Sequence, residues 1–557
     1  MAETQETAGK SAVIERLSWQ VAQRDDARVA QAVQQGEELD AVYELSEAGL
    51  LDGFFHFLEI TGVRELIGQL TVSQVKRVLI PVAQMGVLYL LKTLYGIASM
   101  NALPPLLFSN VALMTLVGFN AHQVAQGFTR RGDDRRRLKR KAGPLSPQAL
   151  AQNICKLTEE QMAAFFNGVV RRLVAWGFVQ GEIMVALDGS KLPTTAKFVG
   201  RGCLAVEHKA KEKGTGRIVT VVRYVFGWKV LVLIEVRTRL PLALKVVRIE
   251  EYEGQWLLPL VQQAQANLGD RARITKVVID RGYLDGADLW ALHQMGLTFV
   301  VVGKAGMAVV EDAHALAQTE PAVERVRVVR QGHGRTATRE RRRTVLVPIA
   351  GLTSYDAYGS PEHVRHKNRK DFAGEAINAV VVRLWNNRPP QGDGIVYLTN
   401  GPVHDPFVVF DDYDWRSVIE NSIFKEGKHP WHLGRFPQKT AAAVLVHCHF
   451  TLAVMALCTA FRLWQAQGAP DTPLPPPHPE AGAAALSSAL LQGEGTARWR
   501  RRLKEENRDK VIVFVGAHYG IFHVAEMAVL AGLRLKTLPP ELGSPQAILH
   551  RYGLGGG

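Results

Sequence analysis

Cysteine is scarce: four residues in 557, at Cys155, Cys203, Cys448 and Cys458. None forms a CxxC pair, so neither a disulfide framework nor a structural zinc site is expected, and a reducing compartment fits. An uninterrupted apolar run is also missing from residues 78–118, where Gln84, Lys92, Asn101, Pro104, Pro105 and Asn110 break the pattern. A bilayer span needs about 20 nearly unbroken apolar residues, so buried helices are expected here and no membrane contact. The opening "MAETQETAGKSAVIERL" has no basic segment followed by an apolar one, so no secretory signal is expected. The glycine–lysine pair in "VVGKAGM" lacks the phosphate-loop pattern, which excludes an ATP site. Acidic residues are the minority: 53 against 67 Lys+Arg, a net charge of +14. That surplus points to a polyanionic partner, nucleic acid first, over a merely basic enzyme.

What is present falls into regions. Residues 1–180 read as helical. "ELSEAGLLDGFFHFLEITG" and "EEQMAAFFNGVVRRLVAWG" place apolar residues three and four apart, the amphipathic spacing. Between them, residues 129–143 carry eight Lys/Arg and two Asp. This run is a solvated loop or a phosphate-contacting arm built on Arg130, Arg131, Arg135, Arg136 and Arg137. From 181 to 303 the texture changes. "GEIMVALDGS" reads as a strand ending on Asp188. Residues 217–247 read as successive strands broken at Gly227 and near Leu240 and Pro241. "ITKVVIDRGY" is a strand ending on Asp280, followed by a helix that Asp285 caps. The order strand, strand, strand, helix, strand, helix, strand predicts a mixed α/β sheet layered with helices. Residues 304–411 read as a β-rich insertion, where "RTATRERRRT" is a DNA-backbone contact or a solvated hairpin. Residues 412–468 return to helix and include a long apolar helix expected to pack on the sheet. A proline-rich linker and tail fill 469–557.

Two strands ending on carboxylates bring Asp188 and Asp280 to one sheet edge if the strands are neighbours. Two uncompensated carboxylates there repel, and one tends to keep a proton. A divalent cation removes the conflict, and oxygen-only ligands suit hard Mg²⁺ or Mn²⁺ rather than zinc. Tyr413, Arg416 and Glu420 stand at i, i+3 and i+7, one face of a helix that Asp411 or Asp412 caps. Glu420 then completes a metal site, with Tyr413 and Arg416 beside it for a phosphate; the alternative is a surface face carrying an Arg–Glu pair. His429, His432, His447, His449 and Cys448 tempt a zinc reading. But His447 and His449 are two apart on a helix and face different ways, which favours structural or DNA-contacting roles.

"ALDGS", "VIDRGYLD" and "YDWRSVIENSIFKEGK", in this order, resemble the DDE transposases of bacterial insertion sequences. The resemblance is to the cut-and-paste group with a tyrosine–arginine–glutamate–lysine signature, and it covers roughly 80–465. Tyr413, Arg416 and Glu420 match that spacing. Gly427 stands where the lysine falls; Lys428 is one position late and Lys425 two early, and Lys428 is the counterpart carried forward. The resemblance implies a ribonuclease H-like mixed sheet with a β-rich insertion, preceded by a helical N-terminal DNA-binding domain over 1–180. Residues 181–303 and 412–468 are then the two parts of the catalytic core.

The resemblance further implies Asp188, Asp280 and Glu420 as catalytic metal ligands for two Mg²⁺ ions per site, Mn²⁺ being possible. Its substrate is double-stranded DNA, element ends and target, handled by a homodimer in the cytoplasm at the nucleoid. In the resembling group a hairpin intermediate is relieved by a base stacked on a tryptophan. Trp385, the one tryptophan within 304–411, is the candidate, with core packing as the competing role. Three activities remain open at this point: a transposase that cuts and joins, a metal-dependent nuclease of the same fold without strand transfer, and a non-catalytic DNA-binding relic.

Overall fold

The computed structural model describes residues 22–45, 51–72, 80–119, 123–124, 144–211, 217–331, 338–367, 374–390, 394–468, 470, 472–473 and 496–554. The arginine-rich run 129–143, with Arg130, Arg131, Arg135, Arg136 and Arg137, lies outside them, as does most of the proline-rich linker. The chain forms two compact units. One gathers Met1–Arg172, Gly427–Asp471 and Ala489–Gly557; the other holds Leu173–Glu426 and Thr472–Ser488.

The second unit is built on one ten-stranded sheet. Its elements are β1 (Gly181–Thr194), β2 (Gly202–Lys211), β3 (Ile218–Glu235), β4 (Pro241–Arg248), α1 (Leu257–Leu268), β5 (Ala272–Ile279), α2 (Gly286–Gln294), β6 (Thr298–Val302), α3 (Ala308–Leu316), β7 (Val323–Gln331), β8 (Thr338–Leu352), β9 (Ile377–Leu384), β10 (Ile395–Thr399) and α4 (Pro406–Asp414). The strand order is β2, β3, β1, β5, β6, β10, β9, β8, β7, with β4 also on β3. β3 runs antiparallel to β1 and β4, while β5 and β6 run parallel to β1 and to each other. Setting β2 aside, this is the three-antiparallel, two-parallel pattern of the expected ribonuclease H-like core. The central strands are continuous runs of Val, Ile and Leu because helices cover both faces.

Three details depart from the expectations. Gly227 does not break the chain: β3 passes straight through it. Its φ of 147° and a Cβ that would meet the Leu192 carbonyl oxygen at 2.2 Å make glycine necessary at this close strand crossing. β2, in "GCLAVEHKAK", was not expected, since charged residues interrupt its alternation. It forms an exposed ribbon with the first half of β3. The strands of 304–411 add to the core sheet through β10, which pairs with β6 at Thr399 and Val300. Backbone pairing, which side-chain pattern does not reveal, makes them an extension of that sheet.

α4 begins earlier than expected. Asp405 caps it by accepting from the Phe407 amide at 3.0 Å, and Pro406 takes the first position. Asp411 and Asp412 are not caps. The helix is anchored by Phe407, Val409 and Phe410 on Val300, Leu346, Val380, Val382 and Tyr397. Burying each phenylalanine contributes about 2–3 kcal/mol.

In the first unit, the long apolar helix Ala441–Ala466 packs among N-terminal helices. Phe461 meets Phe54 at 5.3 Å and Phe450 meets Tyr89 at 5.2 Å. It was expected on the catalytic sheet. Apolar side chains cover most of its circumference, so its own sequence could not specify which neighbours cover it. By length and composition it is the one described helix able to cross a bilayer, and 83% of its most apolar window is covered by protein. Val82–Leu94 is buried beside it. The tail is folded: Lys510–Val515 and His518–His523 form a four-stranded sheet with Gln23–Arg24 and Ala41–Glu44.

Candidate active site

Asp188 is not at the end of its strand. β1 continues to Thr194 along β3, and it is the parallel neighbour β5 that stops, with Ile279 beside Leu187. Paired residues share a face, so Asp188 and Asp280, one step further on each strand, leave the sheet on the same side. That side also carries Lys276, which is ion-paired to Asp412 of α4. The helix bearing Tyr413 is thereby fixed over the two aspartates.

After α4 the chain turns at Trp415 into Arg416–Val418 and then a π-helix, Ile419–Lys425. The backbone stays right-handed helical through Trp415, Val418 and Ile419, so the expected helix runs across Tyr413, Arg416 and Glu420 and changes to π turns at Ile419. π-helical turns are rare and gather at functional sites. Arg416 Nη1 donates to Asp188 Oδ2 at 3.0 Å and lies 3.0 Å from Glu420 Oε1. The same guanidinium lies over the Tyr413 ring, 5.7 Å from its centroid. Both Asp188 oxygens are engaged, since Oδ1 accepts from the Gly189 amide at 2.7 Å. Arg416 makes the i,i+4 pair with Glu420 and also reaches across to β1, with its side chain 20% exposed.

Burial pushes the Asp188 carboxyl up to about 6; the Arg416 guanidinium and the Gly189 amide oppose that rise, and the Asp280 and Glu420 carboxylates add to it. Those last two influences put all three acids in one electrostatic cluster. Burial likewise pushes the Tyr413 phenol up to about 12, so it stays a proton donor at neutral pH. Arg416 Nε is buried and has no hydrogen-bond partner among the described residues. A buried donor left unmade costs about 1–3 kcal/mol, so an oxygen-rich ligand there is favoured.

The donor set consists of carboxylate oxygens alone, which fits a hard divalent cation. Among the described residues no three His, Cys, Asp or Glu side chains enclose an ion as they stand. Arg416 instead supplies the positive charge between Asp188 and Glu420. Glu420 has a side chain 54% exposed and can turn from the guanidinium to an ion without repacking.

Sequence reasoning missed three neighbours. Lys229, buried in β3, pairs with Glu253 Oε1 at 2.9 Å. Glu253 lies against Gly189, where a Cβ would meet Glu253 Oε2 at 2.6 Å. The buried Tyr283 hydroxyl has no hydrogen-bond partner among the described residues, and its pKa is raised by burial and by Glu253, Asp188 and Asp280. The lone lysine within "FGWKVLVLIE" was the available signal; nothing marked Glu253.

Other candidates fall elsewhere. Trp385 follows β9 and bridges to Arg388 across a tight turn through Asn386 and Asn387, both at positive φ. It is 41% exposed, with one ring edge against Phe410 at 5.8 Å, so it is not a core residue. Lys428 belongs to the first unit, where partial burial lowers its pKa. His447 is buried there as well, bonded to the Tyr89 hydroxyl at 2.8 Å and to the His432 carbonyl at 2.9 Å, and His449 bonds the Leu445 carbonyl. These are structural partners, not metal ligands.

The fold is a ribonuclease H-like mixed sheet whose neighbouring central strands carry Asp188 and Asp280 on one side. The sequence matches the family described as transposase DDE domain over residues 180–458, half of the chain, and the chain belongs to that family of DNA-transposing enzymes. Its members act with divalent metal ions. Comparison with curated proteins gives no match. Among solved structures, a cryo-EM structure of the piggyBac transposase synaptic complex with hairpin DNA aligns over 87% of this chain and 84% of that one, at 10% identity and a TM-score of 0.34. A likeness that weak adds nothing to the assignment.

Proposed function

We propose that the chain cleaves DNA at the ends of an insertion sequence and joins those ends to target DNA, using Asp188, Asp280 and Glu420 as ligands for two Mg²⁺ ions, which Mn²⁺ can replace. The observation that carries this reading is the Arg416 bridge. A phosphate-seeking guanidinium ties a buried strand aspartate to a helix glutamate, with Tyr413 alongside. Bound there, the ions would supply Lewis-acid chemistry at the scissile phosphate and a lowered pKa for the attacking hydroxyl.

The chain's own residues do the rest. Arg416 releases Glu420 and turns its fork, including the unpartnered Nε, onto a phosphate. Tyr413 keeps its proton at neutral pH and donates to a second phosphate oxygen. Asp188 must lose its proton to serve as a ligand, so metal affinity should weaken as pH falls through about 6. No covalent intermediate on the protein is required, because positioning and charge stabilisation suffice for phosphoryl transfer.

In the signature group to which Tyr413, Arg416, Glu420 and Lys428 point, Trp385 would stack the base extruded at a DNA hairpin. Lys428 and Arg130, Arg131, Arg135, Arg136 and Arg137 would contact the DNA backbone. Bringing two ends together calls for a homodimer, working at the nucleoid of the cytoplasm. The test is incubation of the full chain with Mg²⁺ and duplexes carrying the terminal repeats that flank its gene. Joined products are expected. Cleavage without joining would make it a nuclease, and shifted but uncut DNA a binding relic.

A further inference from the structure

Past its root in the sheet, the hairpin of β7 and β8 sorts its arginines by face. The antiparallel register pairs Arg342 with Arg327 and Thr344 with Arg325 on one face. Acids answer these: Arg325 forks onto Asp411 at 2.5 and 2.6 Å, Arg327 reaches Asp411 at 3.4 Å, and Arg342 meets Glu340 at 3.1 Å. The other face holds Arg330 opposite Arg339, Val328 opposite Arg341, and Val326 opposite Arg343. All four of these arginines are exposed, as are Val326 and Val328, and Glu324 pairs with Arg343 at 2.7 Å. Like charges directly opposite across a strand pair are destabilising. A face so built favours a polyanion. Side chains on alternate residues repeat every ~6.8 Å along β8, so Arg339, Arg341 and Arg343 form a straight basic row.

We propose that this face is a clamp for the phosphate backbone of duplex DNA, outside the acidic site but held in register with it. The link is Arg325. Its fork grips Asp411, two residues before Tyr413, and its guanidinium lies 4.0 Å from the centroid of the Phe407 ring. The root of β7 is thus locked to the helix that presents Tyr413. DNA gripped by the ribbon is held at a fixed offset from Asp188. The interleaved valines do not form a separate apolar dock, because each lies directly opposite an arginine. The proposal rests on the transposase reading for its choice of DNA as the anion.

The test uses the full chain and a fluorescent duplex of arbitrary sequence, titrated over a range of salt without divalent ions. R339A/R341A is expected to weaken binding by roughly tenfold per arginine at ~0.1 M salt, and to flatten the slope of log affinity against log salt by about 2. R339K/R341K, which keeps the charge, should retain the wild-type slope; a lysine pair as weak as the alanine pair would overturn a clamp based on charge. Unchanged affinity and slope in R339A/R341A would also overturn it, and would leave the transposase reading standing if the wild type still cuts its ends. A wild type that binds no duplex would remove both. Loss of affinity for poly-glutamate alone, with the duplex unaffected, would assign the face to a protein partner and overturn the proposal.

Discussion

Replacing Asp188 by asparagine should stabilise the catalytic unit at neutral pH while ending its chemistry. The carboxyl is pushed by burial from 3.8 up to about 6, against the pull of Arg416. At 1.36 kcal/mol per unit, that difference corresponds to about 3 kcal/mol. The sign follows from linkage. The folded state holds the proton more tightly than the unfolded chain, so the associated stability is complete below the unfolded value and is lost as pH rises through about 6. Asparagine has the shape of the protonated acid and escapes that loss. D188N and the wild type should therefore match near pH 4 and diverge by ~3 kcal/mol by about pH 7.5, the variant being the more stable. The assay is guanidinium unfolding in EDTA, followed by tryptophan fluorescence. Only the transition of the catalytic unit is compared, because two units need not unfold together. Divalent ions should then stabilise the wild type more than the variant. A difference that stays flat with pH, or a variant less stable at pH 7.5, would refute the argument that burial dominates this carboxyl.

Glu420→Gln should abolish cleavage and joining yet shift stability by less than about 0.5 kcal/mol, as expected for a surface side chain; persistent cleavage would remove Glu420 from the site. Gly227→Ala should cost roughly 1–3 kcal/mol from positive-φ strain, before the clash with the Leu192 carbonyl is added. A wild-type melting temperature would show that β3 can cross β1 differently there. Trp385→Ala should leave the first nick intact and impair hairpin formation and resolution, read on denaturing gels; unimpaired hairpins would exclude stacking on this ring.

Much of the site was legible because its chemistry is local. Asp188 and Asp280 each follow an apolar run, and the spacing of Tyr413, Arg416 and Glu420 shows in any helical reading. What stayed hidden was contact across the chain. Lys229 with Glu253, and Arg325 with Asp411, involve residues far apart in sequence, and no periodicity encodes such partners. The face-sorting of the β7–β8 arginines needed the register, since "RTATRERRRT" alone reads equally as a solvated hairpin.

By itself the sequence determined the acids, the basic surplus and most element positions, because these depend on side-chain type and short-range spacing. Only the tertiary structure decided that β5 ends beside Leu187 and so sets Asp280 next to Asp188, that the inserted strands join the core sheet, and that the helix Ala441–Ala466 serves the other unit. Each of these is a choice among partners that are locally equivalent. Long-range backbone pairing and packing against a mostly apolar surface select one of them, and neither leaves a mark on the residues nearby in the chain.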